Sequence, residues 1–339
     1  MIDSDNAIKD IYDEISQSFY GKIGDKMGKG KEMRILLEWL EPYNDLKYPI
    51  LFEGPTGVGK NLLARNLHLN SSRRYEKYVT IDCGSISESL IAVDLFGCCK
   101  GAFTGADKQR KGFIESADGG TVFIDNIDCL PLYLQSALLR LIEEKVIIRV
   151  GTTTPIKVDV RIIAAGSRNF EELIAKNLFS EALYYRFVEK LTVPNLTIRR
   201  DDIGFFIDRF LKEKAKELQK VVTIESGAKR ILENHHWQGN IRHLENFILL
   251  LVIHVKQGEN GKYSISEELV KTCFAIANVN YKTVSVDDDF TLETALNKAR
   301  IEAVERAEKF AENKKEVAAL LGITDDAYYK MKKKLGNKA

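Results

Sequence analysis

Gly54-Pro55-Thr56-Gly57-Val58-Gly59-Lys60 sets a glycine, four residues and then Gly-Lys, the spacing of a loop that cradles phosphate. In such a loop the backbone N–H groups form a concave nest at a helix N-terminus, where amides and helix dipole together favour an anion. Lys60 adds a point charge for the β and γ phosphates of a nucleotide such as ATP. Asn61 stands where a Ser or Thr usually meets Mg2+, and its amide oxygen is the weaker ligand. Further on, Gly119-Gly120-Thr-Val-Phe-Ile124-Asp125-Asn126 is a run of β-formers ending in a carboxylate. A strand that delivers Asp125 at its C-terminal edge puts a Mg2+-organising acid beside the loop.

Between these motifs lies Gly101-Ala102-Phe103-Thr104-Gly105-Ala106. The segment cannot nucleate a helix or a strand, and its glycines permit φ > 0, so it can lift and fold as a unit. Phe103 and Thr104 then sit at the tip of a movable loop, one apolar handle and one hydrogen-bonding handle. An exposed phenylalanine argues for a partner that covers it; a buried one in an ordinary surface loop is the alternative.

These groups need a scaffold. Tyr48–Phe52 reads as a buried strand before the phosphate loop, and Leu62, Leu63, Ala64 and Leu67 give the helix after it an apolar face. Tyr78–Ile81, the run ending at Asp125 and Arg161–Ala165 are further strands. Leu132, Leu138, Leu139, Leu141 and Ile142 are the apolar face of a helix after Asp125, and Val146–Val158 is a second β excursion. This alternation predicts an α/β fold with a parallel sheet flanked by helices on both faces. From Asp202 the pattern becomes wholly helical (Ile203–Leu218, Ile224–Glu233, Ile241–Val255, Ile265–Ala277), an α-helical lid. Asn278–Asp289 reads as a linker. A small all-α unit follows, with a long helix Leu292–Phe310, a short one closed by Gly322, and a last one capped by Thr324. The expected organisation is an N-terminal helix or extension over 1–20, an α/β core over 21–200, a lid over 201–277, a linker over 278–290 and the small helical unit over 291–339.

With 339 residues, 45% of them apolar and 29% charged, the chain has the composition of a globular protein of two or three units. No apolar run approaches a membrane span and no signal-peptide layout opens the chain, so no membrane partner is expected. Five cysteines without repeating spacing point to a reducing cytoplasm rather than a disulfide framework. Cys83, Cys129 and Cys273 read as core or near-core residues. Cys98-Cys99, beside the mobile loop, are vicinal thiols, inert or a redox switch. The histidines have no metal-ligand spacing, and Mg2+ is the one metal expected.

From about Ile23 to Ala277 the chain resembles the AAA+ ATPase domain of sigma-54-dependent transcriptional activators, the bacterial enhancer-binding proteins. The resemblance rests on GPTGVGK (Gly54–Lys60), DLFGCCKGAFTGA (Asp94–Ala106), ADGGTVFIDN (Ala117–Asn126), LYYR (Leu183–Arg186) and WQGNIRHLEN (Trp237–Asn246). The six-residue loop is specific to that family, whereas the P-loop alone is not. The resemblance implies an AAA+ P-loop NTPase that assembles into a homo-oligomeric, hexameric ring. Phe103 and Thr104 would contact sigma-54 in its RNA polymerase holoenzyme and couple ATP turnover to opening of the closed promoter complex. Arg186 would be an arginine finger acting on the neighbouring subunit's nucleotide, and Arg242 the second sensor, carried by the lid. The stretch Asn313–Thr324 resembles the Fis-type helix-turn-helix that ends most such activators. Lys330, Lys332, Lys333 and Lys334 would meet phosphates of enhancer DNA, while Asp325 and Asp326 stand where the family offers basic or polar side chains.

The departures bear on chemistry. The family has Glu where Asn126 stands and Asn where Asp82 stands, on neighbouring strands, so this chain has exchanged carboxylate and amide. An amide oxygen is too weak a base to take a proton at neutral pH, so Asp82 would supply the base or the water-orienting acceptor. The alternative is that the exchange disabled hydrolysis. Ser180 occupies the place of a second family arginine, and Gly166-Ser167 replaces a Thr-Asn first sensor, which together imply a slow or differently tuned ATPase. The implied function is an enhancer-bound ATPase that remodels the sigma-54 closed complex. Its rivals are a non-hydrolysing ATP-binding module that recruits or sequesters sigma-54, and a DNA-bound regulator using the AAA+ fold as scaffold. With about twenty residues before the core, control is expected from expression level or a separate inhibitory protein.

Overall fold

A computed structural model of the chain describes residues 27–103, 106–257 and 263–281. The expected N-terminal helix, Thr104 and Gly105, the linker beyond Tyr281 and the C-terminal helical unit with its lysines lie outside those residues; Asn278–Tyr281, read as the start of the linker, instead continue the last described helix. The chain divides into Met1–Cys273 and Phe274–Ala339, and the architecture below belongs to the first unit except for the end of its last helix, Phe274–Tyr281.

Helix α1 (Lys31–Leu40) leads into strand β1 (Ile50–Glu53), and α2 (Lys60–Leu69) follows the phosphate loop. Next come β2 (Tyr78–Asp82), α3 (Glu88–Phe96), β3 (Gly97–Cys98), β4 (Arg110–Lys111) and the short α4 (Phe113–Ser116). The chain continues through β5 (Thr121–Asp125), α5 (Leu132–Glu144), β6 (Val146–Ile148), β7 (Pro155–Lys157) and β8 (Arg161–Gly166). The core closes with α6 (Phe170–Ala175), α7 (Glu181–Arg186) and β9 (Glu189–Thr192).

Five strands pair in the order β2-β5-β8-β1-β9, every pair parallel. A parallel sheet needs cover on both faces, and the side-chain alternation supplies it. Leu51, Val122, Ile124, Ile162 and Ala164 point to one face, where Leu134, Leu138 and Leu141 of α5 pack. Ile50, Phe52, Phe123, Ile163 and Ala165 point to the other, against Leu63 and Leu67 of α2 and Met33, Leu36 and Leu40 of α1. Phe52 and Phe123 are fully buried, each contributing about 1.5–3 kcal/mol of burial free energy. Because every pair is parallel, the C-terminal ends of all five strands lie along one row, the edge where ligands bind in open α/β sheets.

Two antiparallel hairpins, β3/β4 and β6/β7, stand off the sheet. The hexapeptide lies between the strands of the first. A bridge from Cys98 to Val150 joins the two hairpins, reinforced by Cys99 N–H to the Val150 carbonyl at 3.0 Å.

The lid is helical but not wholly so, which corrects the expectation from its sequence. Helices α8 (Arg200–Glu217), α9 (Ser226–Asn234), α10 (Asn240–His254) and α11 (Glu267–Tyr281) are joined by a parallel pair, β10 (Val222–Ile224) with β11 (Tyr263–Ile265). Three-residue strands carry too little periodicity to separate them from the helical runs beside them. Cys83 and Cys273 are buried as expected, but Cys129 is exposed, because the turn after β5 carries it outward.

Candidate functional site

The phosphate loop leaves the end of β1 and turns into α2 through Gly57 at φ 82° and Gly59 at φ 105°, conformations open to glycine. Gly59 is the N-cap of α2, so the helix's unpaired N–H groups and dipole face the loop. Lys60, the first residue of that helix, is buried, and its Nζ donates to the carbonyls of Gly54 at 2.6 Å and Pro55 at 3.1 Å. Burial pushes the Lys60 ammonium below its ordinary value, while the negative charges of Asp125 and Asp128 pull it back up. Asp125 responds in mirror image: burial raises its carboxyl, and the Asn126 N–H and Lys60 oppose the rise. Asn61 donates from Nδ2 to Asp125 Oδ2 at 3.3 Å, so the two residues expected to meet Mg2+ are neighbours. A nest of amides, a buried lysine and a carboxylate with an adjacent amide fit a Mg2+-nucleotide by their donor chemistry.

The exchanged pair is in contact. Register β2↔β5 sets Asp82 opposite Asp125, and the next residue, Asn126, turns back with φ 53°. Its Nδ2 then donates to Asp82 Oδ1 at 2.7 Å, and Gly84 N–H donates to the same oxygen at 3.0 Å. Carboxylate and amide therefore form one unit at the ends of paired strands, beside Asp125.

Ser167 lies one residue beyond β8, exposed, with its N–H 3.4 Å from Asp128 Oδ2. Arg168 N–H donates to that oxygen as well, at 3.2 Å. Asp128 is thus a buried anchor for the C-terminal end of β8. Ser180 caps α7, accepting from Leu183 N–H at 3.3 Å, and its own N–H donates to Gln135 Oε1 at 2.7 Å. Arg186 ends the same helix, exposed, in an ion pair with Glu143 of α5.

Arg242 sits in the first turn of α10, exposed, its Cβ close to Gly57. Its charge reaches both Lys60 and Asp125. The loop and the lid also meet through Asn240, whose Nδ2 donates to the Thr56 carbonyl at 3.0 Å, and through Ile241 N–H to the Gly57 carbonyl at 3.0 Å. Phe103, in the segment between β3 and β4, is 45% exposed, and Ala106 is buried. The structure therefore brings Lys60, Asn61, Asp125, Asn126, Asp82 and Arg242 together. Asn240 and Asp128 were missed because a single polar residue with a distant partner carries no local pattern.

The Sigma-54 interaction domain matches residues 27–193, and the AAA+ ATPase lid domain matches residues 198–273. An uncharacterized protein in the HyuA 5′ region of Pseudomonas sp. is 42% identical over 206 residues, 60% of this chain and 70% of that protein. The transcriptional regulatory protein ZraR of Salmonella typhimurium is 38% identical over 300 residues, 88% of this chain, which spans 66% of ZraR's length. NtrX from Brucella abortus, solved in complex with ATP, superposes with a TM-score of 0.65 at 28% identity, over 91% of this chain and 68% of that one. Among the described residues no helix is long and apolar enough to cross a membrane.

Proposed function

The chain belongs to the family of the sigma-54 interaction domain with its AAA+ lid, and from that premise we propose that it is an ATP-hydrolysing activator of sigma-54 RNA polymerase. The observation that carries this reading is the joined Asp82–Asn126 pair beside Asp125 and Lys60. It supports turnover over simple binding, because the carboxylate survives within the site after moving to the paired strand.

In this reading the amides of Gly57, Val58 and Gly59 and the Lys60 ammonium hold the β and γ phosphates. Lys60 exchanges its loop carbonyls for phosphate oxygens. Asp125 and Asn61 would hold Mg2+, which supplies charge neutralisation on the phosphates when bound. Asp82 takes a proton from the attacking water through its second carboxylate oxygen, while Asn126 fixes the carboxylate by holding the first. Water oxygen bonds to the γ-phosphorus, the bond to the β–γ bridging oxygen breaks, and ADP and phosphate leave. Ser167 orients the γ-phosphate side, and Arg242 reports nucleotide to the lid. Arg186 reaches the site of an adjacent subunit in a homo-oligomeric, hexameric ring. Phe103 and Thr104 then press on sigma-54, and Lys330, Lys332, Lys333 and Lys334 tether the ring to enhancer DNA.

The test is steady-state ATP hydrolysis against protein concentration with Mg2+, for the unaltered chain, Asp82→Asn and Asn126→Glu. Cooperative hydrolysis that falls by about 10²–10⁴-fold in Asp82→Asn is the expected result. An inactive unaltered chain that Asn126→Glu makes active would instead establish an ATP-binding switch.

A further inference from the structure

Every carbonyl from Gly54 to Val58 has a donor, and the donors divide into two sets. Lys60 Nζ serves Gly54 and Pro55. The other three are served from the lid: Asn240 Nδ2 to Thr56 at 3.0 Å, Ile241 N–H to Gly57 at 3.0 Å, and Arg199 Nη1 to Val58 at 3.4 Å. Asn240 and Ile241 open α10, and Arg199 immediately precedes α8.

Each of those carbonyls shares a peptide group with the N–H of the next residue. The lid thus grips the outer side of the peptides whose N–H groups, on Gly57, Val58 and Gly59, form the phosphate nest. A hydrogen bond to a peptide oxygen fixes the orientation of its plane and polarises the N–H on the other side. The grip is tight: a Cβ built on Gly57 would lie 2.4 Å from the Gly239 carbonyl oxygen, so nothing larger than glycine allows this approach. Asn240 is itself locked, 2% exposed, with φ 53° and its Oδ1 accepting from Leu196 N–H at 2.9 Å. Ile241 N–H is one of the helix-end donors with no partner inside its own helix, and the loop satisfies it.

We propose that Asn240 is a positioning residue for phosphate binding, acting through the Thr56 peptide, so that this lid residue tunes the affinity of the P-loop for nucleoside di- and triphosphates without itself touching them. The inference rests on the nucleotide reading above. Lys60 must release its two carbonyls to reach phosphate; the three held by the lid keep the nest in shape meanwhile.

Asn240→Gly is the test, since φ 53° suits glycine and only the side chain is lost. Kd values for ADP and for adenosine are measured by displacement of a fluorescent ADP analogue, alongside a thermal melt. ADP binding should weaken about 3- to 10-fold, the worth of one neutral hydrogen bond, with adenosine unchanged. Equal losses for ADP and adenosine, or none for ADP, would overturn the inference. Asn240→Asp keeps the acceptor for Leu196 and sets an oxygen against the Thr56 carbonyl; it should weaken ADP alone and decides the matter if the glycine variant does not fold. Absence of ADP binding by the unaltered chain would overturn the nucleotide reading itself, whereas unchanged ADP affinity in the variants overturns only the role of Asn240.

Discussion

Arg199 and Asp202, three residues apart, form an ion pair whose side chains are 1% and 0% exposed. Asp202 Oδ2 takes Arg199 Nε at 2.8 Å, and its Oδ1 accepts the Lys29 N–H at 2.6 Å and the Gly30 N–H at 2.5 Å. Arg199 returns a bond to the Met27 carbonyl and reaches Val58 of the phosphate loop. One buried pair therefore ties the strap before α1, the phosphate loop and the start of the lid. A buried pair stripped of one member leaves an uncompensated charge, which costs about 3–5 kcal/mol. Asp202→Ala should lower the unfolding free energy by that amount in urea titrations without nucleotide. A loss under about 1 kcal/mol would mean that Arg199 finds other compensation.

His68 supplies a pH dependence with a definite sign. It is 3% exposed, with Nδ1 3.0 Å from Thr121 Oγ1. Burial first, then the charges of Arg161 and Arg65, push its imidazole from 6.5 down to about 4. Between those values the unfolded chain binds a proton that the folded one refuses, so stability falls as pH drops through the window and levels off below it. The gap is worth about 3 kcal/mol. Urea midpoints from pH 4.5 to 7 (roughly the window set by the two values) should fall less steeply with acid in His68→Gln than in the unaltered chain. Parallel curves would remove His68 as the cause.

The parts of the fold that were legible in the sequence are those where burial imposes a pattern. Ile50–Glu53, Thr121–Asp125 and Arg161–Gly166 are near-continuous apolar runs because both faces of their sheet are covered. Glu189–Thr192, an edge strand reading EKLT, has half its surface open and no such run, and it was not anticipated. Lys60 and Asp125 stand out as candidates because a glycine-rich loop entering a helix and a strand ending in a carboxylate are local patterns, whereas Asp82 stands out only through the family resemblance. Asn240 and Arg199 do not stand out, since their partners Thr56 and Val58 lie 184 and 141 residues away. Those contacts exist only once the lid has folded onto the core.

Gly151 marks where the second hairpin meets the hexapeptide. A Cβ there would lie 2.5 Å from Ala102 Cβ and 2.9 Å from its Cα, at φ 86°. The segment before it is pinned by Arg149, which grips Glu115 with bonds of 2.9 and 2.7 Å. The hexapeptide must therefore yield to any added side chain. Gly151→Ala should leave ATP hydrolysis within about twofold but cut sigma-54-dependent transcription about tenfold or more, given the sensitivity of coupled sites to ångström misplacement. Unimpaired transcription would show that the loop root is not held at this contact.

Arg186 is paired with Glu143 on its own subunit, both partly exposed, so the pair itself adds at most about 1 kcal/mol to stability. Its place at the end of α7, pointing from an exposed helix terminus, suits a group that acts elsewhere. If it stabilises charge on a neighbour's phosphoryl group, Arg186→Ala should lower kcat by about 10³–10⁵-fold while the fold stays intact. Glu143→Gln frees the guanidinium and should shift the onset of cooperative hydrolysis to lower protein concentration. The decisive measurement mixes Arg186→Ala with Lys60→Ala. The first keeps a phosphate loop but lacks the finger, and the second keeps the finger but lacks the phosphate-binding lysine. Side by side in a ring they assemble complete sites, so activity should reappear on mixing two inactive proteins. A mixture no more active than the mean of its parents would place the action of Arg186 within its own subunit.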